Sequence, residues 1–252
     1  MRFASLGSGS RGNAMLVEAG STCVMVDCGF SISETQKRLA RLDRGPEHLS
    51  AILVTHEHGD HIRGVAPFAR RHGIPVWMTH GTAAALPHAG ALRELQPIAG
   101  YADFRIGDLH IQPYPVPHDA REPCQFVFRS HRHRLGLLTD CGSLTPHILA
   151  TLQGCDALML EFNHDPRMLA AGSYPPALKR RVGGDYGHLN NQQARTLLEQ
   201  LELGPLQHLV AAHLSEKNNA PERVHAELVP CGDRLDYSLA CQDGGCDWRT
   251  LE

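Results

Sequence analysis

Four side chains that can bind metal ions lie within six positions of this chain, in the run His56-Glu57-His58-Gly59-Asp60-His61. The apolar run 51–54 precedes it and predicts a buried strand that carries a polar loop at its carboxyl end. The first two histidines are two positions apart, so both imidazoles leave the same side of an extended chain. The aspartate and the third histidine lie where the chain turns towards a predicted helix, and they can face a second point nearby. The spacing therefore predicts one loop that serves two metal ions.

Two other interpretations of this loop are weaker. A single histidine on a loop is usually a solvated surface residue, but three histidines and an aspartate at a strand end have no apolar core to fill. The zinc-protease pattern His-Glu-x-x-His requires a histidine at the position of Asp60 and a helix that carries both ligands. The types and spacing of these residues therefore favour metal binding.

Three further candidate ligands, His118, Asp140 and His213, each follow a predicted strand. Taken singly, each is as readily a helix cap or a surface residue. All three share a position at the carboxyl end of a strand, which is where α/β folds place their sites. This shared position supports a role for them in the same centre.

Strand and helix signals alternate along the chain. Predicted strands are 14–18 and 22–27, which form a hairpin, followed by 51–54, 76–79, 109–116, 124–128, 135–139, 157–161 and 208–212. Predicted helices run from a capping box at 31–34 to residue 40, from the metal loop to residue 72, from Thr145-Pro146 onwards, and over 190–201. The triplets Asp27-Cys28-Gly29 and Asp140-Cys141-Gly142 each end an apolar strand, which implies two related halves. Since no linker separates them, we expect residues 1–252 to form one mixed α/β domain whose halves pack as a sandwich.

The length and charge of the chain limit its possible classes. Its 252 residues are enough for a sizeable core, and a formal net charge of −3 gives no overall basic character that would indicate nucleic-acid binding. A local basic patch remains possible. The N-terminus lacks a long apolar stretch and no later segment approaches membrane-spanning length. We therefore expect a cytoplasmic protein with no membrane partner, and the sequence leaves its oligomeric state open.

The eight cysteines contain no Cys-x-x-Cys pair, so we expect them to be reduced rather than bridged. Cys231, Cys241 and Cys246 are close enough in sequence for a zinc knuckle, but their spacing fits no familiar zinc ribbon. Ordinary packing is the favoured interpretation. The segment 242–245 predicts a hairpin turn that joins the last two strands.

Taken together, these motifs resemble the metallo-β-lactamase superfamily over nearly the whole chain. Asp27, the loop 56–61, His118, Asp140 and His213 match the five motifs of that superfamily in order. Within it, segments 8–13, 163–165, 187–189 and 213–219 look like the YycJ/WalJ group, which is similar to RNase Z and the β-CASP nucleases. The resemblance implies an αββα four-layer sandwich with a dinuclear metal centre at one edge.

The resemblance also implies a ligand set. One metal would be held by His56, His58 and His118, the other by Asp60, His61 and His213, and Asp140 would bridge them. The two divalent ions would be zinc, manganese or iron, among which such ligands do not choose. Asp27 would hydrogen-bond to the metal loop and fix imidazole orientation rather than bind metal. Flavodiiron relatives have a glutamate at the position of His58, so a redox role is disfavoured.

The predicted catalytic residues are Asp60, Glu161 and His188. Two ions roughly 3.5–4 Å apart would provide a hydroxide at neutral pH and neutralise a phosphoryl group during in-line attack. His188 matches a histidine outside the metal sphere of RNase Z-like enzymes and would protonate the leaving oxygen. Glu161 or Asp165 would orient it. Alternatively, His188 only caps the loop before the helix at 190. His164 and Asp165 are expected to support the ligand side chains without binding metal.

Predicted substrate contacts are Ser8, Ser10, Asn13, Ser215 and Asn218. A glycine-rich loop such as 8–13 can cradle a phosphate, but it is as often a simple connection between strands. The segment 219–222 reads as a capping box, so the neighbouring asparagines can instead be helix caps. The basic run 179–181 is either a solvated face or a contact to a nucleic-acid backbone.

The sequence thus predicts a metal-dependent phosphodiesterase that acts as a nuclease on DNA or RNA. A thioester or lactone hydrolase would share the whole metal set and is the alternative. A metal-binding protein without enzymatic activity is disfavoured because the ligand set is intact.

Overall fold

Two seven-stranded β-sheets form the framework of the chain, whose computed structural model describes residues 1–86, 92–231 and 235–252. The strands of the first sheet are β1 (Arg2–Gly7), β2 (Ala14–Ala19), β3 (Thr22–Val26), β4 (Ala51–Leu53), β5 (Val76–Thr79), β6 (Leu95–Ile98) and β14 (Cys246–Thr250). The strands of the second are β7 (Phe104–Ile106), β8 (Leu109–Pro115), β9 (Cys124–Arg129), β10 (Arg134–Leu138), β11 (Ala157–Glu161), β12 (His208–Ala212) and β13 (Tyr237–Leu239). They pair in the orders β14-β1-β2-β3-β4-β5-β6 and β13-β12-β11-β10-β9-β8-β7.

Helices cover the outer faces of both sheets. They are α1 (Ile32–Arg41), α2 (Gly59–Ile62), α3 (Val65–His72), α4 (His80–Ala85), α5 (Pro146–Leu152), α6 (Pro166–Ala171), α7 (Pro176–Val182), α8 (Asn191–Gln200) and α9 (Pro221–Leu228). The side chains of Ser31 and Thr145 accept hydrogen bonds from the first turns of α1 and α5, so both helices begin where the sequence predicts. Among the helices in the described ranges, none is long and apolar enough to cross a membrane.

Three apolar clusters hold these layers together. Between the sheets, Phe3 and Val17 of the first sheet lie in one buried cluster with Phe126 and Leu135 of the second. A second cluster packs α1 and α3 on the outer face of the first sheet, and a third packs α5, α8 and α9 on the outer face of the second. The order helix, sheet, sheet, helix confirms the predicted αββα sandwich.

Parallel strands bring the predicted site residues to one edge. β3, β4 and β5 run parallel in the first sheet, as do β10, β11 and β12 in the second. Val26 is opposite Leu53, and Glu161 is opposite Ala212, so neighbouring strands end at nearly the same level. The segments that follow them therefore meet at a single edge of the sandwich.

Two local predictions are wrong. The last two strands do not form a hairpin, because β13 pairs with β12 and β14 pairs with β1, in opposite sheets. The predicted turn exists as a bridge between Cys241 and Gly245, but it carries the chain from one sheet to the other. Asn219 does not cap α9, whose first flanking residue is Ala220. Asn219 instead bonds to Asn191 and to the Phe162 carbonyl. The division into two related halves stays a prediction.

Candidate metal centre

Asp27 fixes the shape of the metal loop from the end of β3. Its two carboxylate oxygens accept hydrogen bonds from the backbone N–H and the hydroxyl of Thr55, each at 2.8 Å. One of these oxygens also lies 2.8 Å from Nδ1 of His61. Asp27 is buried, and all of these contacts join it to the loop rather than to a neighbour outside it. A buried carboxylate that orients a ligand histidine is a common support of metal sites.

Four histidines direct the same ring atom into the site. In each, Nδ1 contacts an oxygen of the protein: His56 with Thr55 Oγ1 (2.9 Å), His61 with Asp27 Oδ2 (2.8 Å), His118 with Gly187 O (3.0 Å) and His213 with Glu161 Oε1 (2.9 Å). A carboxylate or carbonyl oxygen can only accept, and the hydroxyl of Thr55 already donates its one proton to Asp27, so Nδ1 must carry the proton in all four. Nε2 is then an unprotonated donor atom, as metal binding requires.

The candidate ligands form two compact groups. His56, His58 and His118 have ligand atoms within 4.8 Å of one another, and so do Asp60, His61 and His213. His58 Nδ1 lies 3.1 Å from His118 Nε2, and Asp60 Oδ2 lies 3.4 and 3.6 Å from the Nε2 atoms of His61 and His213. Two atoms bound to one tetrahedral ion at 2.0–2.1 Å are about 3.3 Å apart. These separations therefore suit a shared cation.

Asp140 lies between the two groups. Its Oδ2 is 3.2 Å from Nε2 of His61, and its Oδ1 is 3.9 Å from Nε2 of His118. It also forms a ligand-sized group with His56 and His61. Asp140 therefore has an oxygen within 4 Å of a histidine from each group.

The chemistry of these atoms fits divalent cations. Among the residues that the structure describes, none is a hydrogen-bond partner for the buried atoms His56 Nε2, His213 Nε2 and Asp140 Oδ2, and buried polar atoms without partners are costly. Burial lowers the pKa of His213, but the carboxylates of Asp140, Asp60 and Glu161 outweigh it and raise that pKa to about 10. The protein therefore surrounds this imidazole with negative charge, which a cation would balance.

The backbone is strained where three site residues leave their strands. Asp27, Asp140 and His213 have φ angles of 59°, 51° and 56°, in the left-handed region that residues other than glycine rarely adopt. Such strain is typical of functional sites, where the surrounding structure compensates for it. Here it redirects the side chain at the end of the strand towards the shared edge.

The glycine of each Asp-Cys-Gly triplet permits a close contact between loops. A Cβ atom on Gly29 would lie 1.7 Å from the carbonyl oxygen of Asp60, and one on Gly142 would lie 2.5 Å from the backbone nitrogen of Gly187. Any larger residue would therefore push the metal loop or the loop of His188 away from the site.

Glu161, at the end of β11, joins His188 to His213. It is fully buried, and its Oε1 lies 2.9 Å from Nδ1 of each histidine. Its Oε2 accepts from the backbone N–H groups of Cys141 and Leu189. Burial raises the pKa of Glu161, but the two histidines outweigh it and lower that pKa to about 2. His188 shares a further possible ligand group with Asp140, Glu161 and His213, but it joins no group that contains a metal-loop histidine, and it lines the cavity described below.

Two predicted substrate contacts in the glycine-rich segment 8–13 bond to the candidate ligands. Ser8 Oγ accepts the backbone N–H of His213 at 2.8 Å. Asn13 Nδ2 donates to Asp60 Oδ2 at 3.1 Å and lies 3.0 Å from His61 Nε2. Both side chains are buried, so in this structure the segment supports the ligand groups.

Gln242 holds this segment from the turn between the two last strands. Its Nε2 donates to the carbonyl of Gly12, and its Oε1 accepts the backbone N–H of Arg11, both at 2.8 Å. Arg38, which is almost fully buried, donates to the Gln242 carbonyl and to that of Leu6. The turn at Gln242 and helix α1 thus stabilise, through these hydrogen bonds, the segment 8–13 that contacts Asp60 and His213.

The ligand groups open into a cavity of about 370 Å³. Of the predicted substrate contacts, Ser10 and Ser215 line it. Asn218 does not line it and is instead buried, with its backbone and side-chain nitrogens directed to Ser215 Oγ. Two further residues line this cavity: Tyr174, which sequence reasoning missed, and Arg181, which it named only as part of the basic run 179–181.

The supporting residues predicted at 164 and 165 make other hydrogen bonds. Asp165 caps α6, where its Oδ1 accepts from the backbone N–H groups of Arg167 and Met168. Glu161, and not Asp165, contacts His188. His164 bonds through Nδ1 to Asn163, and among the described residues no side-chain hydrogen bond joins it to a candidate ligand. Asn163, which sequence reasoning missed, contacts His213 through its Nδ2, which donates to the His213 carbonyl at 3.0 Å.

The cysteines lie apart from the candidate ligands. Cys28 faces Thr35 Oγ1 at 3.4 Å, and Cys141 contacts the Ser143 carbonyl at 3.1 Å. Burial raises the pKa of Cys28 to about 11 and that of Cys141 to about 12, so both are neutral thiols. In the described part of the chain all eight cysteines are free, and no candidate metal cluster contains one.

Comparisons with known proteins agree with this geometry. The family model described as the beta-lactamase superfamily domain matches residues 22–214. The exodeoxyribonuclease YycJ of Bacillus anthracis is 33% identical over 225 residues, 88% of this chain and 85% of that protein. The exodeoxyribonuclease WalJ of Streptococcus pneumoniae is 32% identical over 233 residues, 90% and 87% of the two chains. The metallo-beta-lactamase fold protein YhfI of Bacillus subtilis superposes with a TM-score of 0.76 at 16% identity over 98% of both chains.

Proposed function

The chain belongs to the metallo-β-lactamase superfamily and resembles YycJ and WalJ over most of its length. From this we propose that it is a metal-dependent phosphodiesterase that hydrolyses nucleic acid. One observation supports this most directly: His188 shares the cavity of the ligand groups and is held there by Glu161. The leaving oxygen of a nucleic-acid phosphodiester needs a proton, and a positioned imidazole can give it. DNA is the first substrate to test, since both relatives are exodeoxyribonucleases by name.

We further propose two divalent ions, zinc, manganese or iron, in this site. The first would be held by His56, His58 and His118, the second by Asp60, His61 and His213, and Asp140 would contact both. When bound, such a pair lowers the pKa of a coordinated water and neutralises the oxygens of a phosphoryl group.

The side chains around the ligands have separate tasks in this proposal. Asp27 and Thr55 hold His61 and His56 with Nε2 unprotonated. Glu161 holds Nδ1–H of His188 and offsets the charge of its imidazolium form. Nε2 of His188 then donates a proton to the leaving oxygen as the P–O bond breaks.

A thioester or lactone hydrolase is the second candidate, because it would use the same ligands. A departing thiolate has a conjugate-acid pKa near 8.5 and leaves without much proton transfer. In a thioester hydrolase the pair formed by His188 and Glu161 would have no obvious task. This favours the phosphodiesterase.

The experiment compares three substrates on one preparation of the protein loaded with Mn²⁺ or Zn²⁺. Bis(p-nitrophenyl) phosphate, a single-stranded oligodeoxyribonucleotide and a glutathione thioester are assayed side by side. We expect hydrolysis of the two phosphodiesters, its loss on adding EDTA, and its recovery with metal. An Asp140→Ala variant purified in the same way excludes a contaminating nuclease. Hydrolysis of the thioester alone would overturn the proposal.

A further inference from the structure

One wall of the cavity is apolar and aromatic, unlike the polar ligand groups. Tyr174, Leu178 and Val182 line it, and all three come from α7 or the residues just before it. They are spaced four residues apart, which places Leu178 and Val182 on one face of the helix. Tyr174 is only partly buried, so its ring is accessible from the cavity. Metal binding does not require an apolar wall. The wall instead suits contact with an uncharged part of a substrate.

A positive charge lies beside this wall. Of the basic run 179–181, only Arg181 lines the cavity, because Lys179 donates to the Ala170 carbonyl and Arg180 is absent from the lining. Arg181 donates through Nε to Asp119. Asp119 in turn lies 3.7 Å from the Nε2 atoms of His58 and His118. Asp119 therefore connects the guanidinium to two histidines of the first ligand group.

The guanidinium can still bind an anion in this position. It has five N–H donors in a planar fork, and within the described residues its one hydrogen bond is the Nε contact to Asp119. Its side chain is 58% exposed, so the remaining donors are open to the cavity and solvent. A second cation, Lys217, lies with Nζ 5.7 Å from the centre of the Tyr174 ring. An aromatic ring in a cavity lined by an arginine, with a lysine near the ring, is a combination found in sites that bind single-stranded nucleic acid.

We propose that Tyr174 and Arg181 form a nucleotide subsite next to the metal centre, in which a base stacks on the tyrosine ring and a phosphate of the same strand binds the guanidinium. This rests on the proposed function, which it extends from the scissile bond to the neighbouring nucleotide. Leu178 and Val182 complete the apolar wall against the base or sugar. The substrate end is accordingly single-stranded at this point, since a paired base could not stack on the ring.

The chain offers matched controls for both residues. Arg180 is an exposed arginine on the same helix, and Tyr186 is a tyrosine with 65% exposure close by, and neither lines the cavity. Affinity for a labelled oligonucleotide with hydrolysis-resistant phosphorothioate linkages is measured by fluorescence anisotropy on metal-loaded protein. We expect Tyr174→Ala to weaken binding about 5–100-fold, the range for loss of one stacked base. We expect Arg181→Ala to lower the slope of log affinity against log salt by about 0.7.

A modified substrate separates stacking from general damage. If the ring stacks a base, an oligonucleotide with an abasic site at the nucleotide next to the scissile bond should bind wild type and Tyr174→Ala equally. Tyr174→Phe should restore binding of the normal strand, and Tyr174→Leu should not. Equal binding by the Tyr174 and Arg181 variants and their two controls would overturn the subsite. Failure of wild type to cleave any phosphodiester would overturn the proposed function instead, and the anisotropy would still decide the subsite.

Discussion

Replacing Glu161 by glutamine should reverse the proton positions of two histidines. Its Oε2 accepts from two backbone N–H groups, which can only donate, so the amide oxygen of glutamine must take that side. The amide NH₂ then faces Nδ1 of both His188 and His213, where the carboxylate was 2.9 Å away. To accept from it, each imidazole must move its proton to Nε2. A protonated Nε2 on His213 cannot bind a metal.

The expected size of the effect follows from these contacts. Loss of a partner that orients a ligand histidine costs about 10–100-fold in metal affinity, which is about 1.4–2.8 kcal/mol at 1.4 kcal/mol for each factor of ten. His188 also loses the carboxylate that offsets its positive charge, so kcat should fall by about 10²–10⁴-fold even at saturating metal, the usual contribution of a general acid.

Equilibrium dialysis with elemental analysis measures the metal affinity, and the assay on oligonucleotide measures kcat. Glu57→Gln is the control, because it makes the same change within the metal loop, where the carboxylate accepts the backbone N–H of Arg121 instead. It should keep both metals. If Glu161→Gln bound two metals with wild-type affinity and cleaved at the wild-type rate, the assigned tautomers would be wrong.

Four shorter predictions follow. Asp140→Ala should lower metal content and abolish turnover, since it removes the carboxylate between the ligand groups; full stoichiometry measured by elemental analysis would contradict the bridge. A double change of Cys28 and Cys141 to serine should leave stoichiometry unchanged, and a sulfur signal in the X-ray absorption fine structure of wild type would refute this. His188→Ala should lower kcat by about 10²–10⁴-fold on a nucleotide leaving group and far less on p-nitrophenolate; equal losses would make it a positioning residue. Burial raises the pKa of Glu18, but hydrogen bonds from two arginines outweigh it and lower that pKa. The stabilisation by these bonds is therefore present above pH 4.5 and is lost as the pH falls through the lower pKa of the folded protein. Glu18→Gln should remove this part of the decrease in Tm between pH 5 and 3.

The sequence predicts best what is encoded locally. The strands 76–79, 157–161 and 208–212 have the bounds of β5, β11 and β12, because buried parallel strands read as apolar runs with polar ends. The metal loop can be predicted equally well from the sequence, because its candidate ligands are nearly consecutive. The superfamily resemblance and the αββα fold are confirmed for the same reason: their motifs lie at strand ends.

Contacts between distant segments are what the sequence does not show. Asp165 precedes Pro166, an ordinary start for a helix, so its capping role could have been read locally. By contrast, no sequence pattern indicates that the Ser8 hydroxyl accepts a hydrogen bond from His213, or that Gln242 donates one to the glycine-rich segment 8–13. The sequence predicts one hairpin for the last two strands, which is wrong, because alternation indicates a strand but not the sheet to which it belongs.

The hydrogen bonds between Gln242 and the glycine-rich loop also affect when the site can form during protein synthesis. The hydrogen bond from Arg11 to Gln242 joins residues 231 positions apart. A ribosome that adds about 5–20 residues per second would synthesise Gln242 roughly 10–45 s after Arg11. Until then the segment that supports Asp60 and His213 lacks these contacts, and such long-range contacts form late. A nascent chain should therefore acquire a competent centre only after Gln242 has left the ribosome.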